Sequence, residues 1–170
     1  FMKAWSTYYK GIFEYIPGKK VTGVDVANRT LLVEGIEEFK GDVVNFIPPQ
    51  RAAAIAVKAG LVGEDKKWCP VNVTTFESTL QKNIHVIGDS AIAGAMPKSG
   101  YSANSQAKVC AINVVALMNG KELTELSGIN VCYSAISDHE SISVAGVYTV
   151  KDGKIIGVPN SGGISPVDFS

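Results

Sequence analysis

Three groups of residues in this chain have the types and spacing to do chemistry. Gly88-Asp89 closes the apolar run Ile84-His85-Val86-Ile87. A glycine there lets backbone approach a ligand closely, and the carboxylate can accept hydrogen bonds from a sugar or polyol hydroxyl. Gly-Asp is also a common turn pair, so on these two residues alone both readings stand. The second group, Pro97-Lys98-Ser99-Gly100-Tyr101-Ser102, opens an apolar helical pattern. The unpaired amides and positive dipole end of such a helix, with the Lys98 ammonium, would face the crevice that holds Asp89 and would suit an electron-rich ring. The third group is Cys69, Cys110 and Cys132. Their spacings fit neither a zinc site nor a Cys-x-x-Cys redox pair, and an odd number cannot all pair within the chain. Cys110 in an apolar helix and Cys69 between Trp68 and Pro70 read as small core residues, and Cys132, taken alone, reads as a buried strand cysteine. No residue set reads as a metal site. His85 alternates in an apolar strand and is expected to satisfy a core hydrogen bond, while His139-Glu140 falls in a polar, solvated loop.

The elements that must position these residues are legible from periodicity. Residues 21–34 alternate β-branched and polar positions about a turn at Asn28, which predicts a hairpin. Residues 42–47 are a short run stopped by Pro48-Pro49, the pattern of a strand buried on both faces. A short helix is expected over residues 50–59, closed by Gly60. The run 84–87 predicts a strand with Gly88-Asp89 at its carboxyl end, where ligands sit in open α/β sheets. A helix is predicted over 102–118, capped by Ser99 or Ser102 and stopped at Asn119-Gly120. Residues 131–136, 142–150 and 155–158 read as an antiparallel meander with a tight turn at Asp152-Gly153. The expected class is α/β followed by an antiparallel α+β part, with boundaries near Pro48 and Ser127.

Composition narrows the partners. The chain has 170 residues, with 46% apolar and 19% charged, which excludes a disordered tail, a collagen-like repeat and a coiled coil. Sixteen basic residues balance sixteen acidic ones, so no nucleic acid partner is expected. The apolar stretches 52–57 and 109–118 are too short for a membrane span, and no secretory signal pattern opens the chain. The sequons at Asn28 and Asn72 read as accidental.

The strings Asp42-Val43-Val44-Asn45-Phe46-Ile47-Pro48-Pro49-Gln50, Trp68-Cys69-Pro70-Val71, Thr75-Phe76-Glu77-Ser78 and Ile84-His85-Val86-Ile87-Gly88-Asp89 form one part of a longer pattern. Met96-Pro97-Lys98-Ser99-Gly100-Tyr101-Ser102-Ala103-Asn104-Ser105-Gln106, Cys132-Tyr133-Ser134 and Ser161-Gly162-Gly163 complete it. Together they resemble the flavoprotein subunit of flavocytochrome c sulfide dehydrogenase over almost the whole chain. That family belongs to the disulfide-reductase type of flavoprotein, with two dinucleotide-binding, Rossmann-like domains, and it resembles sulfide:quinone oxidoreductase.

The resemblance implies FAD as cofactor, sulfide as substrate, a c-type cytochrome subunit as partner and a periplasmic location. Residues 1–47 would be the tail of an NAD-like domain, 48–126 the returning half of the FAD-binding domain, and 127–170 a truncated C-terminal flavin-binding domain. Gly88 and Asp89 would meet the ribityl chain. Lys98, Ser99, Gly100 and Tyr101 would face the pyrimidine end of the isoalloxazine. Cys132 would be catalytic, as one of two cysteines of a redox-active disulfide whose partner lies outside this sequence. Hydrosulfide would attack that disulfide to give a persulfide and a thiolate, and electrons would pass by way of the flavin singly to haem. Tyr101, Tyr133 and Tyr148 stay open between core packing and facing the flavin.

Two features depart from the family pattern. No Gly-x-Gly-x-x-Gly occurs in the 170 residues, so the FAD pyrophosphate site is expected elsewhere. Ser90 follows Asp89 where many relatives are expected to carry cysteine. The chain is therefore read as a fragment, inactive in isolation, of a sulfide-oxidising flavoprotein. The alternatives are a sulfide:quinone oxidoreductase relative, which would need an amphipathic membrane anchor, and a non-catalytic truncated module.

Overall fold

A computed structural model describes residues 1–35 and 38–166. The chain divides into two compact units, Met2–Pro49 and Gln50–Ser170.

The first unit begins with α1 (Met2–Tyr8), which buries Ala4. Trp5 of this helix packs edge-on against Phe13, with ring centroids 5.3 Å apart, and tilted against Tyr15 at 5.1 Å. The expected hairpin follows as β1 (Val21–Asp25) and β2 (Thr30–Val33), antiparallel with Asp25 opposite Thr30. Its turn is made by side chains as much as by backbone. The Asp25 carboxylate accepts from the Asn28 amide at 3.0 Å and from Asn28 Nδ2 at 2.8 Å, and these bonds lower the Asp25 pKa from its ordinary value. Arg29 then takes φ of 54°, the left-handed conformation the turn requires. A short β3 (Glu38–Lys40) pairs with β2.

Residues 42–47 are not a strand. They run without ladder partners, and Val43 and Ile47 are 87% and 75% exposed. A strand buried on both faces needs a neighbour on each edge, and none of the described strands pairs with this run.

The second unit starts with α2 (Ala54–Lys58), shorter than the expected 50–59. Its beginning is delayed because the Ala52 amide donates to the Lys67 carbonyl at 2.7 Å and Ala53 is extended, which holds residues 51–53 out of the helix. Gly60 at φ of 68° closes it as expected. Ala52, Ala56, Leu61 and Cys69 form one apolar cluster, with Trp68 and Val86 against it.

The predicted strand at 84–87 is an extended segment with one antiparallel bridge, Glu77 to His85. Its partner is a loop rather than a strand. Asn72 Oδ1 accepts from the amides of Thr74 and Thr75 at 2.9 and 3.0 Å, and fully buried Phe76 sits at φ of 59°. That conformation is uncommon for a bulky residue and is held by the Phe76 amide bonded to Asn72 and its carbonyl to Val86, both at 2.8 Å. Cys69 and Ala91 form the parallel bridge that ties this region together.

The long helix α3 (Gly100–Met118) has its N-cap at Ser99, whose side chain accepts from the Ser102 amide, and it gives way to Asn119 and Gly120 as predicted. The meander is also as read: β4 (Ser127–Ala135), β5 (Ser141–Lys151) and β6 (Lys154–Gly157) are antiparallel neighbours in that order, and β7 (Gly163–Ile164) pairs with β5. Asp152 and Gly153 take φ of 51° and 69°, the two left-handed positions of a two-residue hairpin turn. The main core joins α3 to this sheet and to the preceding loops through Phe76, Ala91, Met96, Val109, Leu126 and Ile155.

The mixture of helix with antiparallel sheet and a sheet-rich C-terminal part agrees with the α/β and α+β expectation. Among the described residues both sheets are antiparallel.

Candidate flavin site

The second unit brings Gly88-Asp89, the Pro97–Ser102 segment and Cys132 to the amino end of α3. Gly88–Ser90 forms a single 3-10 turn, with Gly88 at φ of 70°. A Cβ on Gly88 would lie 3.2 Å from the Ala103 methyl, so glycine lets this turn sit directly on the helix. Gln106, one turn further along α3 and 1% exposed, fixes the approach by accepting from the Gly88 amide at 2.7 Å.

Asp89 is exposed, and among the described residues its carboxylate accepts no hydrogen bond. The ammonium of Lys98 donates to the carbonyls of Asp89 and, at 3.0 Å, Ala91. It also stands 3.8 Å from the centre of the Trp68 ring, a cation–π contact. Burial pushes the Lys98 pKa below its ordinary value, opposed by the charge of Asp89. The same cation opposes the upward push that burial gives the Cys69 thiol. Lys98 therefore fastens the 88–91 turn to the loop before α3, and its charge is directed partly into the protein.

Trp68, Gly88, Ala91, Met96, Lys98 and Gln106 line a cleft of about 120 Å³ beside this turn. The amides of Gly100 and Tyr101, in the first turn of α3, have no protein acceptor among the described residues, and Tyr101 is half exposed.

Ser99 links this helix start to β4. Its hydroxyl donates to Asn130 Oδ1, and the hydroxyl of buried Ser102 reaches the same oxygen at 3.3 Å. Asn130 is 2% exposed. Two positions on, and on the same face of β4, Cys132 Sγ lies 3.5 Å from Asn130 Nδ2 and 3.6 Å from Oδ1. All three cysteines are free thiols, with Cys69 and Cys110 buried and Cys132 half-buried. Gly88, Asp89, Lys98, Ser99, Gly100 and Tyr101 thus gather at one helix end, and Cys132 joins them through Asn130.

Trp68, Gln106 and Asn130 were not singled out from the sequence. Gln106 sits at the close of the long matching string, and Asn130 lies two residues before Cys132. A polar residue alternating in a strand reads as surface until the helix covering it is known. His85 meets its expectation, with Nδ1 2.9 Å from the Thr75 carbonyl. A carbonyl can only accept, so Nδ1 is the protonated nitrogen. His139 is exposed and pairs with Asp138 at 3.1 Å. Tyr148 packs against the core, whereas Tyr133 is 72% exposed.

A free carboxylate beside a left-handed glycine, and a helix start with open amides, are the donors and acceptors that a polyol chain and an electron-rich ring require. Residues 125–170 match the family model described as flavocytochrome c sulphide dehydrogenase, flavin-binding. The match runs from the approach to β4 through Cys132 to the end of the chain, and the cofactor that this flavin-binding family indicates is FAD.

Proposed function

We propose that the chain is the C-terminal portion of the flavoprotein subunit of a sulfide dehydrogenase, which oxidises sulfide and passes electrons to a c-type cytochrome. Residues 48–126 would be the returning half of a Rossmann-like FAD domain, and 1–47 the tail of a second, NAD-like domain. Residues 127–170 would complete the flavin site in a periplasmic enzyme. The observation that carries this reading is the hydrogen-bonded path from the start of α3 through Asn130 to Cys132. It sets a half-buried thiol beside the residues best suited to a flavin.

In this reading Asp89 accepts hydrogen bonds from ribityl hydroxyls, and Gly88 allows the close approach. The open amides of Gly100 and Tyr101 and the dipole of α3 favour negative charge on the bound ring, with Lys98 adding a cation behind the turn. Cys132 and a second cysteine outside these residues form a disulfide. Hydrosulfide attacks one sulfur; the S–S bond breaks, a new S–S bond forms to the incoming sulfur, and the other cysteine leaves as a thiolate with the electron pair. FAD, when bound, supplies a two-electron acceptor that can release electrons one at a time.

The test, made on the full-length flavoprotein that carries these residues and the second cysteine, is an anaerobic absorbance titration of the FAD-loaded enzyme with sulfide, followed by oxidised c-type cytochrome. The expected result is bleaching of the flavin bands by sulfide and their recovery with reduction of the cytochrome. A flavin that sulfide does not bleach would contradict the assignment, and recovery with a quinone alone would move it to the quinone-linked class.

A further inference from the structure

The hydrogen bonds around Asn130 have a direction. The Ser102 amide donates to Ser99 Oγ at 3.1 Å, the Ser99 hydroxyl donates to Asn130 Oδ1, and Asn130 Nδ2 donates to Cys132 Sγ at 3.5 Å. Every donor along this path points from the positive end of α3 toward the sulfur. Donation into Oδ1 from Ser99 and Ser102 draws electron density from the amide and makes its N–H a better donor. The same side chain also serves the protonated sulfur, because Cys132 Sγ can donate to Oδ1 at 3.6 Å. Among the described residues, Asn130 is the side chain that hydrogen-bonds Cys132 Sγ and can answer both states of the sulfur, and its burial keeps competing water away.

We infer that Asn130 is the positioning residue of Cys132: it holds the sulfur toward the start of α3 and relays the helix's positive end to it, favouring the anionic sulfur that thiol–disulfide exchange produces. This rests on the redox reading of Cys132 and adds to it the residue that tunes the thiolate. The exchange of Asn for Asp is close to isosteric. It keeps an oxygen for Ser99 and Ser102 but replaces the donor to sulfur by an acceptor, so the thiolate loses a hydrogen bond and gains a negative neighbour.

The experiment is alkylation of the reduced protein by iodoacetamide across a pH series, with the rate at each cysteine read by peptide mass. Cys69 and Cys110 are the internal report on folding, since both are buried. In Asn130→Asp the Cys132 rate is expected to fall about fourfold at neutral pH and its pH profile to move upward, because a smaller thiolate fraction is only partly offset by greater nucleophilicity. In Ser99→Ala, which leaves Asn130 in place but removes a polarising donor, the fall is expected to be about twofold. Rates for Cys132 that stay the same or rise in both variants, with Cys69 and Cys110 still protected, would overturn the inference. If Asn130→Asp exposes Cys69 and Cys110, the Ser99→Ala result decides. The reading beneath it is tested separately: sulfide bleaching that survives Cys132→Ser would remove the redox role and leave the alkylation result intact.

Discussion

Asn113 grips Thr124 from both sides, its Oδ1 accepting from the Thr124 amide at 2.8 Å and its Nδ2 donating to the Thr124 carbonyl at 2.9 Å. A further bond from Nδ2 to the Thr74 carbonyl, at 2.7 Å, ties in the loop that carries Phe76. Asn113 is fully buried in the middle of α3, so it fastens to the helix both the loop that bridges to His85 and the segment entering β4. Asn113→Ala leaves three backbone groups without their partner. Its expected cost is about 2–4 kcal/mol, measured by denaturant unfolding.

Gly88 and Gly94 carry the turns that approach α3 and β6. A Cβ on Gly94 would stand 2.6 Å from the Ile155 carbonyl oxygen, at φ of 57°, so backbone would have to move. The Gly88 site is tight rather than closed, since its nearest neighbour is a methyl at 3.2 Å. Gly94→Ala is therefore expected to destabilise the second unit by more than Gly88→Ala, for which about 1–2 kcal/mol is expected from the left-handed conformation. Thermal unfolding of the two variants side by side measures the difference. Gly88→Ala is expected also to weaken FAD retention.

Asp89 separates binding from folding. It is exposed with no partner for its carboxylate among the described residues, so Asp89→Ala is expected to change stability by less than about 0.5 kcal/mol. Its loss of a hydroxyl contact is expected to weaken FAD about tenfold or more, the worth of roughly one hydrogen bond to a charged acceptor. Fluorescence titration with FAD checks this. An unchanged affinity would put the ribityl chain elsewhere.

Cys110 gives a pH dependence of fixed sign. Burial alone raises its pKa above the ordinary 9.0. Above pH 9 the unfolded chain gives up this proton while the folded chain keeps it. The contribution is therefore fully present below pH 9 and is lost as pH rises through the raised folded value. Stability is expected to fall over that window, and Cys110→Ala to make the fall shallower. Unfolding curves at pH 8 and above pH 9 on both proteins measure it.

How far the sequence reaches depends on where each element finds its partners. The Ser99 cap, Gly120, and the Asp152-Gly153 turn act within a few residues of themselves, so α3 and the meander were readable from local chemistry. Residues 42–47 have the composition of an inner strand, but a strand is a relation to neighbours, and without a described partner the run stays exposed. Residues 84–87 read as a strand and do take an extended path, but they bridge to a loop built by Asn72 side-chain bonds and a left-handed Phe76, which no strand pattern shows. At the site, the glycine, carboxylate, lysine and cysteine announce their chemistry by type. Asn130 does not, since its meaning comes from contacts across 31 residues to Ser99 and 28 to Ser102. Lys98 lies beside Asp89, but its bonds to backbone carbonyls and its seat on Trp68 could not be read from a loop sequence.

The central claim is that the sulfur of Cys132 takes the electrons from sulfide. It is tested most directly by comparing the FAD-loaded full-length flavoprotein that carries these residues with its Cys132→Ser variant under anaerobic sulfide, following flavin absorbance. Serine keeps an acceptor and donor for Asn130 and leaves the fold in place, so both proteins are expected to hold FAD equally. Only the parent is expected to bleach; a serine variant that bleaches at the same rate would contradict the account.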